Sequence, residues 1–471
     1  MTSPGRTLIL GAGPTGLGAA WRLVEMGHRD LLVLEARLDP GGLAGSFLDG
    51  HGFTWDVGGH VQFSHYAYYD AVLDRALGDA WLTHEREAWV WIKGRFVPYP
   101  FQENLHRLAP ADAAAALRGL EAVAAAGTGP PPEHFEQWIV RTFGDWIAEH
   151  FLWPYNRKVW GHPLDTIGIG WMGERVAPPD LDRVRHALRT GEDQVSWGPN
   201  RTFRFPRVGG TGAIWRGVAR LLPQDRLRLG ATVARVDLSR RQIVLANGET
   251  LAYDTLVSSL PLDRLCAMAS GLSPEAQDAA ARLVRSAVHV IGVGLAGEPP
   301  ATLRKKCWVY FPEDRSPYYR VTVFSNYSPA NAPDGCWSLM AEVCETPHRP
   351  VEAESLPRRV VDALIADGLV PSGTPVVSLW HRREEHGYPT PFLGRDEVLA
   401  RVRPELERHG VFSRGRFGAW TYEVSNQDHS FMQGVEVADR LLGLGAEDTL
   451  DRPDLVNAGA YKTTAAQQPP R

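Results

Sequence analysis

The sequence predicts an α/β protein in which a doubly wound sheet domain, discontinuous along the chain, carries a helical insertion and an antiparallel β-sheet domain. Three observations predict it. The apolar run Thr7–Leu10 ends at Gly11 and leads through a glycine turn into helical spacing at Leu17, Ala20, Leu23 and Val24, then into a second apolar run, Leu31–Leu34. Strand, turn, helix, strand is how such a sheet begins. Helical spacing dominates residues 105–198, and from Ser286 to Trp380 short β-rich stretches alternate with turns.

Taken in order, Arg107–Ala126 is rich in alanine and leucine and breaks at Gly129-Pro130-Pro131-Pro132, and helical patterns resume at His134–Phe151 and Leu181–Leu188. Strand signals return at Leu227–Val236 and Gln242–Ala246, with Asn247-Gly248 suited to a hairpin turn, and at Leu256–Leu260 before Pro261. Trp308–Phe311, Tyr319–Phe324 and Trp337–Val343 are further strands of a separate sheet. Arg414–Leu442 holds a glycine-rich turn and then the helical pattern Phe431–Leu442. Residues 1–104, 199–285 and 396–471 are thus assigned to the doubly wound domain, 105–198 to the helical domain and 286–395 to the antiparallel sheet.

Of the 471 residues, 44% are hydrophobic and 22% charged, as in ordinary globular proteins. The 50 basic and 55 acidic side chains leave a net charge of −5, which argues against a dedicated nucleic-acid binder. Cys266, Cys307, Cys336 and Cys344 form no paired motif, so neither a zinc site nor a disulfide framework is expected. There is no signal-peptide pattern and no run near the roughly 18 apolar residues of a membrane span. A soluble, cytoplasmic protein is expected.

Gly11-Ala12-Gly13-Pro14-Thr15-Gly16 is a GxGxxG turn between strand and helix, with Glu35 placed 19 residues after Gly16 at the end of the next apolar run. The first glycine permits the turn, the second lets backbone approach a pyrophosphate, the third lets helix pack on strand, and the carboxylate accepts from a ribose diol. A second GxGxxG, Gly292–Gly297, runs into Glu298-Pro299-Pro300, which does not suit the required helix, and is expected to be a sheet-to-turn segment. Two further clusters, Gly41-Gly42-Leu43-Ala44-Gly45-Ser46 and Gly209-Gly210-Thr211-Gly212, favour FAD over NAD. That arrangement resembles the flavoprotein superfamily of amine oxidases and protoporphyrinogen oxidases, an FAD-binding Rossmann-like fold in which Val233 would lie beside the adenine.

Arginine, tyrosine and tryptophan gather in Trp308–Phe311, Tyr318-Tyr319-Arg320, Ser325-Asn326-Tyr327, His386-Gly387-Tyr388 and Arg414–Tyr422. Guanidinium and phenol groups bind phosphate oxygens, and aromatic faces stack on sugars or bases. By composition alone the favoured reading is that these aromatics fill a β-sheet core and the arginines pair with nearby acids.

Longer blocks carry a more specific likeness. They include Gly58-Gly59-His60-Val61, Phe63-Ser64-His65-Tyr66, Val97-Pro98-Tyr99-Pro100-Phe101-Gln102, Pro154-Tyr155-Asn156, Lys158-Val159-Trp160, Gly173–Ala177, Trp197-Gly198-Pro199-Asn200 and Asn426–Met432. With these, nearly the whole chain resembles the UDP-galactopyranose mutase family in its eukaryotic, fungal and trypanosomal, form. The resemblance implies an isomerase whose FAD, reduced by NADPH or NADH, attacks the anomeric carbon of a UDP-sugar through N5, releasing UDP while the sugar opens and recloses as a furanose. UDP-galactose is the default substrate. The same chemistry on another nucleotide-linked sugar, and an amine-oxidase-like flavin oxidase, are the alternatives.

The resemblance assigns residues as follows. Arg175 and Arg320 neutralise the leaving diphosphate, with Tyr310, Tyr327, Tyr388 and Tyr422 donating to it. Tyr99, Phe101, Gln102, Phe151, Tyr155, Asn156 and Trp160 hold the uridine end, and Asn200 and Trp308 contact the sugar. His60 stands beside the flavin on a loop and Arg416 next to the ring system, both grouped with Arg175 and Arg320 as catalytic. Cofactor contacts are Gly11, Gly13, Thr15, Gly16, Glu35, Gly42, Leu43, Ser46, Gly58, Gly59, His65, Arg86, Val233, Gly415, Arg416, Asn426, Gln427 and Ser430. Gln62 stands where the family leads one to expect an apolar residue, and Ala88 where a serine is expected near the reductant. Asp428-His429-Ser430 is not expected to be a triad, because adjacent residues rarely face one another. His381 and His386 lack the further ligands a metal site needs, and no metal is expected.

Overall fold

The computed structural model describes residues 4–127, 129–172, 176, 178–195 and 201–457. Five parallel strands stand in the order Val411–Ser413, Thr255–Ser258, Thr7–Leu10, Leu31–Leu34 and Leu227–Arg228. The central strand, Thr7–Leu10, is apolar on both faces and buried throughout, as a covered parallel strand must be. It delivers the chain through the Gly11 turn to the helix Pro14–Glu25, whose first turn tolerates Pro14 because those N–H groups have no partner inside the helix. Leu17, Ala20 and Trp21 of this helix share one core with Phe431, Val435 and Ala438 of the helix Gln427–Leu442.

Leu227–Val236 is not one strand. Leu227–Arg228 closes the parallel sheet, the chain turns at Gly230 (φ +70°), and Val233–Asp237 enters a separate sheet beside Gln242–Leu245. The Asn247-Gly248 hairpin forms as expected, joining Gln242–Leu245 to Thr250–Ala252.

The larger sheet has seven strands, in the order Val376–Pro389, Arg285–Ala296, Cys336–Glu345, Arg320–Val323, Trp308–Tyr310, Ala88–Ile92 and Arg95–Pro98. The last two come from the stretch assigned by sequence to the doubly wound domain. Their join to Trp308–Tyr310 is parallel, so the sheet is mixed at that one seam. Val376–Pro389 also continues beyond Trp380, where strand signals ended. The second GxGxxG lies in this sheet with no phosphate turn: a Cβ on Gly292 would sit 2.5 Å from the Trp55 ring, and one on Gly294 2.6 Å from Phe53. Those glycines let the hairpin of Ser46–Leu48 and Thr54–Asp56 lie flat against the sheet.

The helical insertion comprises Pro110–Ala126, Phe135–Ile147, a wide turn at Ala148–Leu152, Trp153–Trp160 and Leu181–Thr190. Ile139, Phe143 and Phe151 pack on Val90, Ile92 and Val97, which fixes the insertion to one end of the large sheet. Among the described residues no helix is long and apolar enough to cross a membrane.

Candidate active site

A single cavity of about 870 Å³ runs between the parallel sheet, the large sheet and the helical insertion. One end is built from backbone. Gly11, with φ +94°, makes the turn, and Gly13 borders the cavity. A Cβ on Gly13 would meet nothing of the protein nearer than 3.8 Å, so its missing side chain leaves room that the protein does not fill. Gly16 serves packing instead, since a Cβ there would lie 1.8 Å from the Gly11 carbonyl oxygen. Glu35 also borders the cavity, its carboxylate held by the Ala12 N–H at 2.7 Å and the Arg37 N–H at 2.9 Å. Thr15, Gly42, Leu43 and Val233 line the same end, and Asn426, Gln427 and Ser430 line it from the start of the helix Gln427–Leu442. The open cradle at Gly13, the placed carboxylate and the inward helix start are a donor set that fits FAD.

The other end is built from side chains. Arg320 and Glu342 face each other across adjacent strands and form a bidentate ion pair, Nε to Oε1 at 2.7 Å and Nη2 to Oε2 at 2.8 Å. Glu342 also accepts from the Tyr319 hydroxyl at 2.9 Å and the Gly59 N–H at 3.1 Å. Burial opposes both charges, but each stabilises the other, so the arginine is raised and the carboxylate lowered from their ordinary pKa values. Around this pair Tyr310 packs edge-on to Tyr155 at 5.3 Å and to Tyr99 at 5.6 Å, and Trp160 packs edge-on to Tyr422 at 4.9 Å. Arg416 lies over the Tyr388 ring at 4.9 Å and Arg86 over Trp308 at 5.0 Å. Burial pushes the Tyr388 phenol up to about 12 and likewise raises those of Tyr99 and Tyr155, so all three remain protonated donors.

His60, Arg86, Gly59, Tyr99, Gln102, Phe151, Tyr155, Asn156, Trp160, Trp308, Tyr310, Arg320, Tyr388, Arg416 and Tyr422 all line the cavity. The His60 imidazole is pushed down to about 4 by burial, against the pull of Glu342 and with Arg320 and Arg416 adding to the shift, which leaves it neutral at pH 7. Arg175 and Asn200 lie outside the described residues.

Other assigned residues stand behind the wall rather than in it. Phe101 supports Phe151 at 4.5 Å, and Tyr327 is fully buried among Phe203, Phe205 and Phe324. Ser46 gives its hydroxyl to Asp56 and accepts the Gly212 N–H at 2.7 Å, so it ties two loops together and does not border the cavity. Gly58 meets the large sheet, where a Cβ would sit 3.1 Å from Glu342 Oε2. His65 pairs with Asp428 at 2.8 Å and stacks on His429 at 4.7 Å. Gly415, with φ +89°, donates its N–H to Gln433 at 2.7 Å.

Glu342 is the main residue that sequence reasoning missed. Its signal was present, as the one acid in the apolar run Trp337–Val343, but its pairing depends on a strand register no motif displays. Gln62 also borders the cavity, its carbonyl accepting from the Tyr69 hydroxyl at 2.5 Å.

The family described as flavin containing amine oxidoreductase matches residues 14–442. A crystal structure of reduced UDP-galactopyranose mutase superposes with a TM-score of 0.94, at 47% identity over 97% of this chain and 98% of that one. The chain belongs to the UDP-galactopyranose mutase family. Like that family it is an FAD-dependent isomerase built on the amine oxidoreductase fold. A putative protoporphyrinogen oxidase from Exiguobacterium sp. 255-15 shares the fold alone, with a TM-score of 0.69 and 16% identity over 94% of this chain and 100% of the other. Putrescine oxidase likewise superposes at 0.63, with 17% identity over 93% and 99%.

Proposed function

We propose that this chain interconverts UDP-galactopyranose and UDP-galactofuranose without net redox change, in the cytoplasm, with its FAD kept reduced by NADPH or NADH. The observation that carries the reading is the one continuous cavity, which joins a dinucleotide cradle at Gly13 and Glu35 to the Arg320 and tyrosine cluster. When bound and reduced, the flavin supplies a nucleophilic ring nitrogen for the anomeric carbon.

The chain's own residues do the rest. Glu342 fixes Nε and Nη2 of Arg320, which presents the guanidinium to the departing diphosphate without a search through rotamers. Tyr310, Tyr388 and Tyr422 donate to the same oxygens, and Arg175 is the second cation. Tyr99, Gln102, Phe151, Tyr155, Asn156 and Trp160 grip the uridine. Asn156 already donates to the Leu152 carbonyl at 2.8 Å, which orients its amide. Asn200 and Trp308 hold the sugar. The aromatic walls exclude water, so each charged contact is stronger and the reactive sugar is shielded from hydrolysis.

Incubating dithionite-reduced protein with UDP-galactofuranose and following UDP-galactopyranose by chromatography tests this directly. Product only after reduction supports the mutase. No product, together with oxygen consumption on amines, would establish an oxidase instead. A panel of UDP-hexoses and UDP-pentoses then defines the sugar.

A further inference from the structure

Lys158 lies on the helix Trp153–Trp160, whose Tyr155, Asn156, Val159 and Trp160 border the cavity. Lys158 turns away from that cavity and is 1% exposed. Its Nζ donates at 2.9 Å to the carbonyl oxygens of Glu313 and Ser316. Those carbonyls belong to the turn between the strands Trp308–Tyr310 and Arg320–Val323. The turn is itself rigid: the hydroxyls of Ser316 and Tyr318 donate to Asp367 at 2.5 and 2.6 Å. At its far end the helix is pinned to the same sheet by the Thr346 hydroxyl, which donates to the Gly161 carbonyl.

Burial pushes the Lys158 ammonium down to about 7, with Arg349 adding to the shift and Asp314, Asp367 and Glu313 opposing it. A buried cation hydrogen-bonded to backbone carbonyls is a poor source of stability, and an apolar side chain of similar size commonly serves the fold as well. What such a group does supply is register between the elements it joins. Here those elements are the helix assigned to uridine and the hairpin assigned to diphosphate and sugar.

Resting on the proposed UDP-sugar reading, we propose that Lys158 is a positioning residue that sets the distance between the uridine and diphosphate subsites. A ligand that reaches both elements depends on this span, whereas one held by the helix with Tyr99 and Gln102, without the hairpin, does not. Small errors in such a span are amplified in binding and rate.

The test compares wild type with Lys158→Met for two ligands, UDP by titration calorimetry and uridine by ligand-observed NMR, alongside flavin content and melting temperature. The expected result is a UDP Kd raised at least tenfold with the uridine Kd changed less than twofold and flavin content intact. Equal losses for both ligands would reduce Lys158 to a fold-stabilising residue and overturn the proposal, as would an unchanged UDP Kd. Should Lys158→Met fail to fold, Thr346→Val, which loosens the other end of the helix, decides. It should weaken UDP severalfold and spare uridine, and any other pattern overturns the proposal. Wild-type protein that binds no UDP at all would bring down the underlying reading as well, which separates the two failures.

Discussion

The end of the cavity proposed for the dinucleotide is made largely of backbone, and the end proposed for the sugar nucleotide is made of side chains. At the first stand an open cradle at Gly13, a helix start and the Glu35 carboxylate, all within one strand–turn–helix–strand unit. At the second, Arg320, Tyr388, Tyr422, Tyr155 and Tyr99 converge from separate elements, and their geometry is held by groups such as Glu342. The backbone end should therefore fail all at once when altered. The side-chain end should lose function in graded steps.

The largest effect is expected at Gly13. Gly13→Val should yield folded protein that carries almost no FAD, because the side chain enters room left by the protein; visible absorbance after purification measures this. Gly16→Ala should instead damage folding, since its Cβ meets backbone at 1.8 Å. A yellow, fully loaded Gly13→Val would break the contrast. Next is Arg320→Ala, which should retain flavin but lose about 2–5 kcal/mol in kcat/KM, partly because Glu342 is left buried and unpaired. Glu342→Gln sharpens the point: the guanidinium stays but its hold weakens, for a loss of about 1–3 kcal/mol in the same measurement.

A pH effect comes from His60. Its folded pKa of about 4 lies below the ordinary value of 6.5, so between these pH values the unfolded chain binds more protons than the native one. Stability contributed by neutral His60 is therefore present above pH 6.5 and lost as pH falls toward 4. Thermal melts of His60→Leu should show a shallower decline through that window than wild type. The smallest effect is expected at Ser46: Ser46→Ala should lower stability by roughly 1–2 kcal/mol while FAD content stays full, because its hydroxyl binds Asp56 and Gly212 rather than cofactor.

The same contrast explains what could be read without coordinates. Gly11 to Gly16 and Glu35 form a local unit whose spacing is its function, so sequence alone located them. The break at Gly230 within Leu227–Val236 was not visible, because apolar spacing continues across a turn that only the sheet's edge explains. The arginine and tyrosine cluster was ambiguous by composition, and only long motifs shared with a family pointed to a site. Glu342 escaped even those, since its role is set by standing opposite Arg320. Ser46 sits in a glycine cluster of the right kind, yet its hydroxyl points to Asp56.

Phe53 and Trp55 occupy the places where Gly292 and Gly294 lack side chains, and Trp55 also stacks on Trp380 at 6.1 Å. Chimeras that exchange one lobe between relatives must therefore transplant donor rings and recipient glycines together. A lobe bearing alanine at either position would arrive correctly folded and still fail to seat, so compatibility between parents can be screened at a few sites before any gene is built.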